Sequence, residues 1–144
     1  MLEIERKYEV TSNEFKNLSV ETSLITQGYL SKDINRTVRV RTVNNTGILT
    51  IKGIGNESGT TRQEYEVTID FEMALQLLLL CDKPLIIKNR YIVPYDGLTI
   101  EVDEFLNGMV IAEIELDSED QQINVPSWFG EELTGNPKYY NSNM

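Results

Sequence analysis

Glu3, Glu5 and Lys7 occupy every second position of the opening stretch MLEIERKYEV. The same spacing returns along the chain. VRVRT carries Arg39 and Arg41, LTIKG adds Lys52, and RQEYEV brings Arg62, Glu64 and Glu66 together. IKNRY pairs Lys88 with Arg90, TIEVDEF pairs Glu101 with Asp103, and AEIEL pairs Glu113 with Glu115. Carboxylates suit a hard divalent cation, and arginine and lysine suit phosphate oxygens. The residues between or beside them are mainly apolar, among them Val38, Val40, Ile51, Tyr65, Val67, Val102, Phe105, Ile114 and Leu116. A period of two belongs to strands, where successive side chains point to opposite sides of the pleat.

Two arrangements satisfy that pattern. In the ordinary one the apolar face is the core and the charged face is wet. In the other the charged face points inward around a ligand. The signs are segregated: VRVR and IKNRY are purely basic, EVDE and AEIE purely acidic. A solubilising surface does not need this, and like charges two apart on a strand face gain nothing in water. Charges inside a small barrel would need partners, because an unpaired buried charge is very costly. The fifteen residues comprise eight of the 23 acids and seven of the 13 bases, a net −1, which leaves −9 for the remainder. Two divalent ions would make such an interior positive enough for a small polyanion. Pattern alone leaves both arrangements open.

The bulk composition narrows the chemistry. The 144 residues fit one domain, 1–144, and the net charge of −10 argues against a broad nucleic-acid-binding surface. No apolar run approaches the ~18 residues of a membrane span, and no signal peptide is evident. A single cysteine, Cys81, at the end of LLLLC, builds no internal disulfide; it reads as a core residue, and the expected setting is the cytoplasm. There is no histidine, which excludes a Ser-His-Asp triad and an H-E-x-x-H zinc site. A metal site here must be oxygen-rich, which suits Mg²⁺ or Mn²⁺.

The elements that must position these residues are short strands, expected at 2–9, 25–31, 36–43, 47–53, 62–69, 85–93, 97–105 and 109–117. VNNTG and YDG are hairpin turns, and GIGNESGTT is a glycine-rich connection able to serve as a lip. DFEMALQLLLLCD reads as a helix capped by Asp70, with a weaker helix after Thr11 or Ser12 and a short one in PSWFGEEL begun by Pro126. The fold class is mainly β (α+β): an eight-stranded antiparallel β-barrel, closed or nearly so, with a few short helices.

Glu3-Ile4-Glu5-Arg6-Lys7 resembles the E-x-E-x-K signature of the CYTH superfamily, the triphosphate tunnel metalloenzymes. The likeness continues in order through QGYLS (27–31), VRVR (38–41), TIKG (50–53), RQEYE (62–66), KNRY (88–91), EVDEF (101–105), AEIEL (112–116), PSWFG (126–130), ELTG (132–135) and KYYN (138–141). The resemblance implies a barrel forming a tunnel with charged side chains inside, and Mg²⁺- or Mn²⁺-dependent hydrolysis of a triphosphate by in-line attack of water. Inorganic tripolyphosphate is the expected substrate. ATP cyclisation, thiamine or nucleoside triphosphate hydrolysis and a non-catalytic polyphosphate-binding module are the alternatives. Two ions are expected with substrate. Glu3, Glu5, Glu113 and Glu115 would hold metal, with Asp103 and Glu64 or Glu66 assisting. Arg39, Arg41, Lys52, Arg62, Lys88 and Arg90 would hold phosphates, with Lys138 as a further ligand. Lys7, Glu5 and Glu115 would be catalytic. The partner is then a small polyanion rather than nucleic acid or membrane. A homodimer is compatible with the sequence, and no helical accessory domain is expected. Tyr29 reads as a barrel-wall tyrosine, and Arg6, on the apolar side, as one half of an exterior salt bridge.

Overall fold

The computed structural model describes residues 2–143. Its strands are β1 (Leu2–Val10), β2 (Glu21–Ser31), β3 (Arg36–Val43), β4 (Thr46–Gly53), β5 (Thr61–Ile69), β6 (Ile86–Tyr95), β7 (Leu98–Phe105), β8 (Val110–Glu115) and β9 (Phe129–Glu132). Two helices, α1 (Glu14–Leu18) and α2 (Phe71–Leu80), and two 3₁₀ turns, Pro137–Tyr139 and Asn141–Asn143, complete the regular structure. Every ladder is antiparallel. The order β5-β4-β3-β2-β6-β7-β8-β1 closes through β1 back onto β5, so eight strands make a barrel. β1 serves both edges: Glu5–Glu9 pair with β8, while Leu2–Ile4 pair with β5.

The hairpin signals act as turn chemistry requires. Asp96 (φ 50) and Gly97 (φ 75) between β6 and β7 give two consecutive positive φ values, the type I′ pattern that matches strand twist. α2 begins where Asp70 Oδ2 accepts from Met73 N at 3.1 Å, as the sequence led us to expect. β2 starts at Glu21 rather than 25, because Glu21, Thr22, Ser23 and Leu24 find ladder partners from Ile92 to Asn89 on β6. PSWFGEEL does not form the expected helix. It turns at Pro126, whose carbonyl accepts from Phe129 N, and continues as β9. The edge of β1 beyond Ile4 has no β5 partner, and β9 supplies one through Tyr8↔Glu132 and Val10↔Phe129. Satisfying that backbone edge outweighs the weak helical preference of so short a stretch.

The hydrophobic cores lie outside the barrel. One forms on the outer face of β1, β6, β7 and β8, where Tyr8, Val93, Ile100, Val102, Ala112, Ile114 and Leu116 meet Phe15, Trp128 and Phe129. Ile4 packs against this cluster too, so Ile4 and Tyr8 point outward as the inverted reading requires. The second packs Ala74, Leu78 and Cys81 onto Val40, Leu49 and Ile69. Gly28 allows that approach: a Cβ there would lie 2.6 Å from Cys81 Cβ and 2.7 Å from Leu85 Cδ2. Arg6 makes no exterior ion pair among the described residues; its Nη2 donates to the Glu119 carbonyl at 3.0 Å. Phe15 is completely buried and meets Tyr91 edge-on at 5.2 Å between ring centroids. Phe15→Ala is expected to destabilise the protein by about 3–5 kcal/mol, read from the urea midpoint, because the cavity it leaves cannot collapse against a closed sheet.

Candidate active site

Alternation along each strand sends the charged residues inward. Glu3, Glu5 and Lys7, Arg39 and Arg41, Lys52, Arg62, Glu64 and Glu66, Arg90, Glu101, Glu113 and Glu115 all line one cavity of about 180 Å³ inside the barrel. Lys88 and Asp103 do not reach its wall. They are almost fully buried against each other and Arg90: Lys88 Nζ stands 2.8 Å from Asp103 Oδ2, and Arg90 donates to both Asp103 oxygens at 2.8 and 2.9 Å. Lys138 lies outside, exposed on the first 3₁₀ turn. Next to Lys88 in register are Ile25 and Phe105, and next to Asp103 is Ile111, all buried. The inner face therefore turns apolar beyond this pair.

The barrel order sorts the signs. Every acid of the set comes from the contiguous strands β7, β8, β1 and β5, and five of the seven bases come from β4, β3 and β6, with β2 between them. Lys7 and Arg62 are the two bases on the acidic arc. Ion pairs concentrate where the arcs meet. At one seam Lys52 Nζ reaches Glu3 Oε1 at 2.7 Å and Glu64 Oε2 at 3.6 Å, and Arg41 Nη2 reaches Glu66 Oε2 at 3.1 Å. At the other, Arg90 binds Asp103 and lies 3.1 Å from Glu101 Oε2. Lys7 stands 3.6 Å from Glu113 Oε1.

Burial sets the protonation within each arc. Burial and the neighbouring charges of Glu113 and Glu3 push Glu5 well above the usual carboxylate range. Glu113 is buried as well, yet the Lys7 charge and a hydrogen bond from Glu5 hold it well below that range. The two carboxyls of that pair are thus driven in opposite directions. Burial and Glu3 raise Glu64 to about 7, whereas at Glu3 burial is opposed by the Lys52 charge and by hydrogen bonds from Glu64 and Lys52, which together lower it. On the basic arc, burial and the charges of Arg39 and Arg90 bring Arg41 down to about 10. Burial brings Lys88 to about 8 against the pull of Asp103.

The donor set fits a hard divalent ion. Glu3, Glu5, Glu113 and Glu115 meet through the register Glu5↔Glu115 and Lys7↔Glu113 and offer only oxygen. Among the described residues, no three carboxylates converge into a ready coordination shell. Glu3 turns to Lys52, Glu113 to Lys7, and Glu5 hydrogen-bonds Glu113.

Pattern reading missed four lining residues. Thr37 and Thr50 stand two positions from Arg39 and Lys52, so the period of two carried their signal. Tyr140 and Asn141 reach the cavity from the 3₁₀ turns, where no strand periodicity applies. That segment touches both ends of the charged set: Lys7 Nζ donates to the Tyr139 carbonyl and Lys88 Nζ to Asn141 Oδ1, each at 3.3 Å. Tyr29 is a wall residue, as read, and its side chain borders the cavity. Among the described residues, no helix is long and apolar enough to cross a membrane.

Comparison with known proteins points the same way. The CYTH domain family model matches residues 1–143. The chain is 45% identical over 146 residues to an inorganic triphosphatase of Acetivibrio thermocellus, covering 99% of this chain and 92% of that one. It is 34% identical over 149 residues to an inorganic triphosphatase of Nitrosomonas europaea, covering 98% and 95%. A crystal structure of an inorganic triphosphatase superposes with a TM-score of 0.69 at 32% identity, covering 98% of this chain and 92% of the other.

Glu64 gives a test of the interior charges. Its folded pKa lies above the unfolded 4.5, so its contribution to stability is full below about pH 4.5 and is lost as pH rises through about 7. In metal-free protein, Glu64→Gln should raise the melting temperature at pH 8, and the gain should shrink as pH falls to 4.5.

Proposed function

The chain belongs to the CYTH domain family, and on that premise we propose that it is a divalent-metal-dependent triphosphatase whose substrate is inorganic tripolyphosphate. The observation that carries this reading is the division of the cavity into an acidic and a basic arc. A linear triphosphate needs cations along its length and a water held on the side of attack, and the two arcs offer one each. The wall is charged or hydroxyl-bearing nearly all round. Among the described residues its only rings are Tyr29 and Tyr140, which favours an inorganic chain over one bearing a base. The names of the relatives support the same substrate class.

Phosphoryl transfer asks for positioning and charge neutralisation more than for covalent chemistry. Arg39, Arg41, Lys52, Arg62 and Arg90 grip the phosphates, with Lys88 behind them. Glu3, Glu5, Glu113 and Glu115 would hold Mg²⁺ or Mn²⁺, with Asp103, Glu64 and Glu66 as further carboxylates nearby. A bound ion would supply neutralisation of phosphate charge and would lower the pKa of a water. Lys7, the ammonium on the acidic arc, stands beside the reacting phosphoryl group. Glu5 and Glu115, directly opposite each other on β1 and β8, would orient the attacking water, and Glu115 would take its proton. Water adds to the terminal phosphorus, the bridging P–O bond breaks, and orthophosphate and pyrophosphate leave. The domain acts as a single unit over residues 1–144.

The test is a panel of tripolyphosphate, ATP and thiamine triphosphate with Mg²⁺ or Mn²⁺, read for phosphate and cyclic AMP. Phosphate released fastest from tripolyphosphate is expected. Cyclic AMP would make the protein a cyclase, and tight binding without turnover would make it a binding module. Glu3→Ala should cut kcat by about 100-fold or more with the fold retained. Arg41→Ala should raise KM for tripolyphosphate by about tenfold, as the loss of a charged hydrogen bond to phosphate does.

A further inference from the structure

Gln27 is a polar residue of the inner face that the reaction above does not use. It is 0% exposed, and neither its carboxamide oxygen nor its nitrogen has a hydrogen-bond partner. A buried amide left this way costs on the order of 1–3 kcal/mol, so native proteins place a partner or a water on it. Its direct neighbour across the β2–β3 ladder is Arg41, which points to the same face. Arg41 Nε is also buried and also without a partner. The two defects are complementary, since Nε–H can only donate and the Gln27 oxygen can only accept. Side chains directly opposite on an antiparallel ladder stand close enough for contact or for one bridging water. A water there would have three polar groups to bind: both ends of the carboxamide and Arg41 Nε.

Arg41 has reason to need a second anchor. Its Nη2 is held by Glu66 Oε2, which also accepts from Thr50 Oγ1, so that carboxylate is shared. Glu66 is itself half-open to solvent, while Arg41 is buried. A guanidinium must present its planar fork at a fixed angle to grip phosphate through two bonds. The other neighbours of Gln27 on the inner face are Ile25, Tyr29, Ile86 and, diagonally, Lys88. The Gln27 oxygen can accept from these cations without adding negative charge to the wall.

We propose that Gln27 is a positioning residue: its carboxamide engages Arg41 Nε, directly or across one internal water, and fixes the guanidinium plane for phosphate binding. The proposal rests on the reading of Arg41 as a phosphate ligand. A neutral acceptor performs this task where a glutamate would oppose the polyanion.

The test combines a near-isosteric apolar variant with a double-mutant cycle. Gln27→Met keeps the side-chain volume but leaves the buried Arg41 Nε without its acceptor, so its melting temperature should fall slightly with the fold retained. Its KM for tripolyphosphate should rise about fivefold to tenfold with kcat changed less than twofold. In an Arg41→Ala background the same substitution should change KM less than twofold, because the residue acts through Arg41. An unchanged KM in Gln27→Met, or effects of the two substitutions that simply multiply, overturns the positioning role while leaving the Arg41 reading intact. An Arg41→Ala variant with unchanged KM overturns both. Should the variant fold poorly, NMR of the unaltered protein decides. The Arg41 Nε–H signal should be protected from solvent exchange, and fast exchange would overturn the proposal.

Discussion

Fifteen ionisable side chains face the inside of a single small barrel, and the structure is organised around making that tolerable. Taking a charge out of water costs several kcal/mol unless partners replace the solvent. The closed sheet places opposite charges against each other where its two arcs meet, through Lys52 with Glu3 and Glu64 on one side and Arg90 with Asp103 on the other. Within the acidic arc, burial and the Glu113 charge push the Glu5 carboxyl well above the usual carboxylate range instead. Pairing of this kind seldom yields net stability. The apolar burial that folds the chain therefore lies elsewhere, in the two exterior cores under α1, α2 and the segment leading to β9.

The separation has a dynamic side. Under the proposed function, the ion pairs stand in for the ligands of the site: Arg41 with Glu66 and Lys52 with Glu3 at a seam, and Lys7 with Glu113 within the acidic arc. Loading would exchange these contacts for phosphate and cation rather than create charge interactions from nothing. The strands that hold both partners need not move, because the exchange happens at side-chain tips. The chain segment carrying Tyr139, Tyr140 and Asn141 is held to the cavity by only a few polar contacts to tunnel lysines, and it is the part of the wall that no ladder fixes.

Much of this was legible in the strand alternation. The period of two in MLEIERKYEV identified a strand, and the recurrence of same-sign pairs raised the inverted orientation that the exterior cores now bear out. Glu101 with Asp103 and Glu113 with Glu115 gave two strands of the acidic arc directly. The arcs themselves were not legible, because β1 pairs with β5 and β8, and β2 with β6, across long stretches of sequence that local pattern does not relate. The failed helix at Pro126 has the same origin: β9 exists because β1 offers an unpaired edge, a fact about distant residues. Lys138 was carried over by likeness alone, and the 3₁₀ turn leaves it on the surface while its neighbours Tyr140 and Asn141 reach inward.

A wall divided lengthwise into a positive and a negative half carries an electric dipole across the bore rather than along it. Such a field exerts little preference between the two ends of a chain that is the same from either end. It strongly resists rotation of that chain about its own axis. A symmetric linear anion could then slide in with either end leading and still turn the same sides to the two arcs. A molecule with one bulky end would have a single permitted heading. The transverse polarity thus makes the bore indifferent to direction and strict about facing.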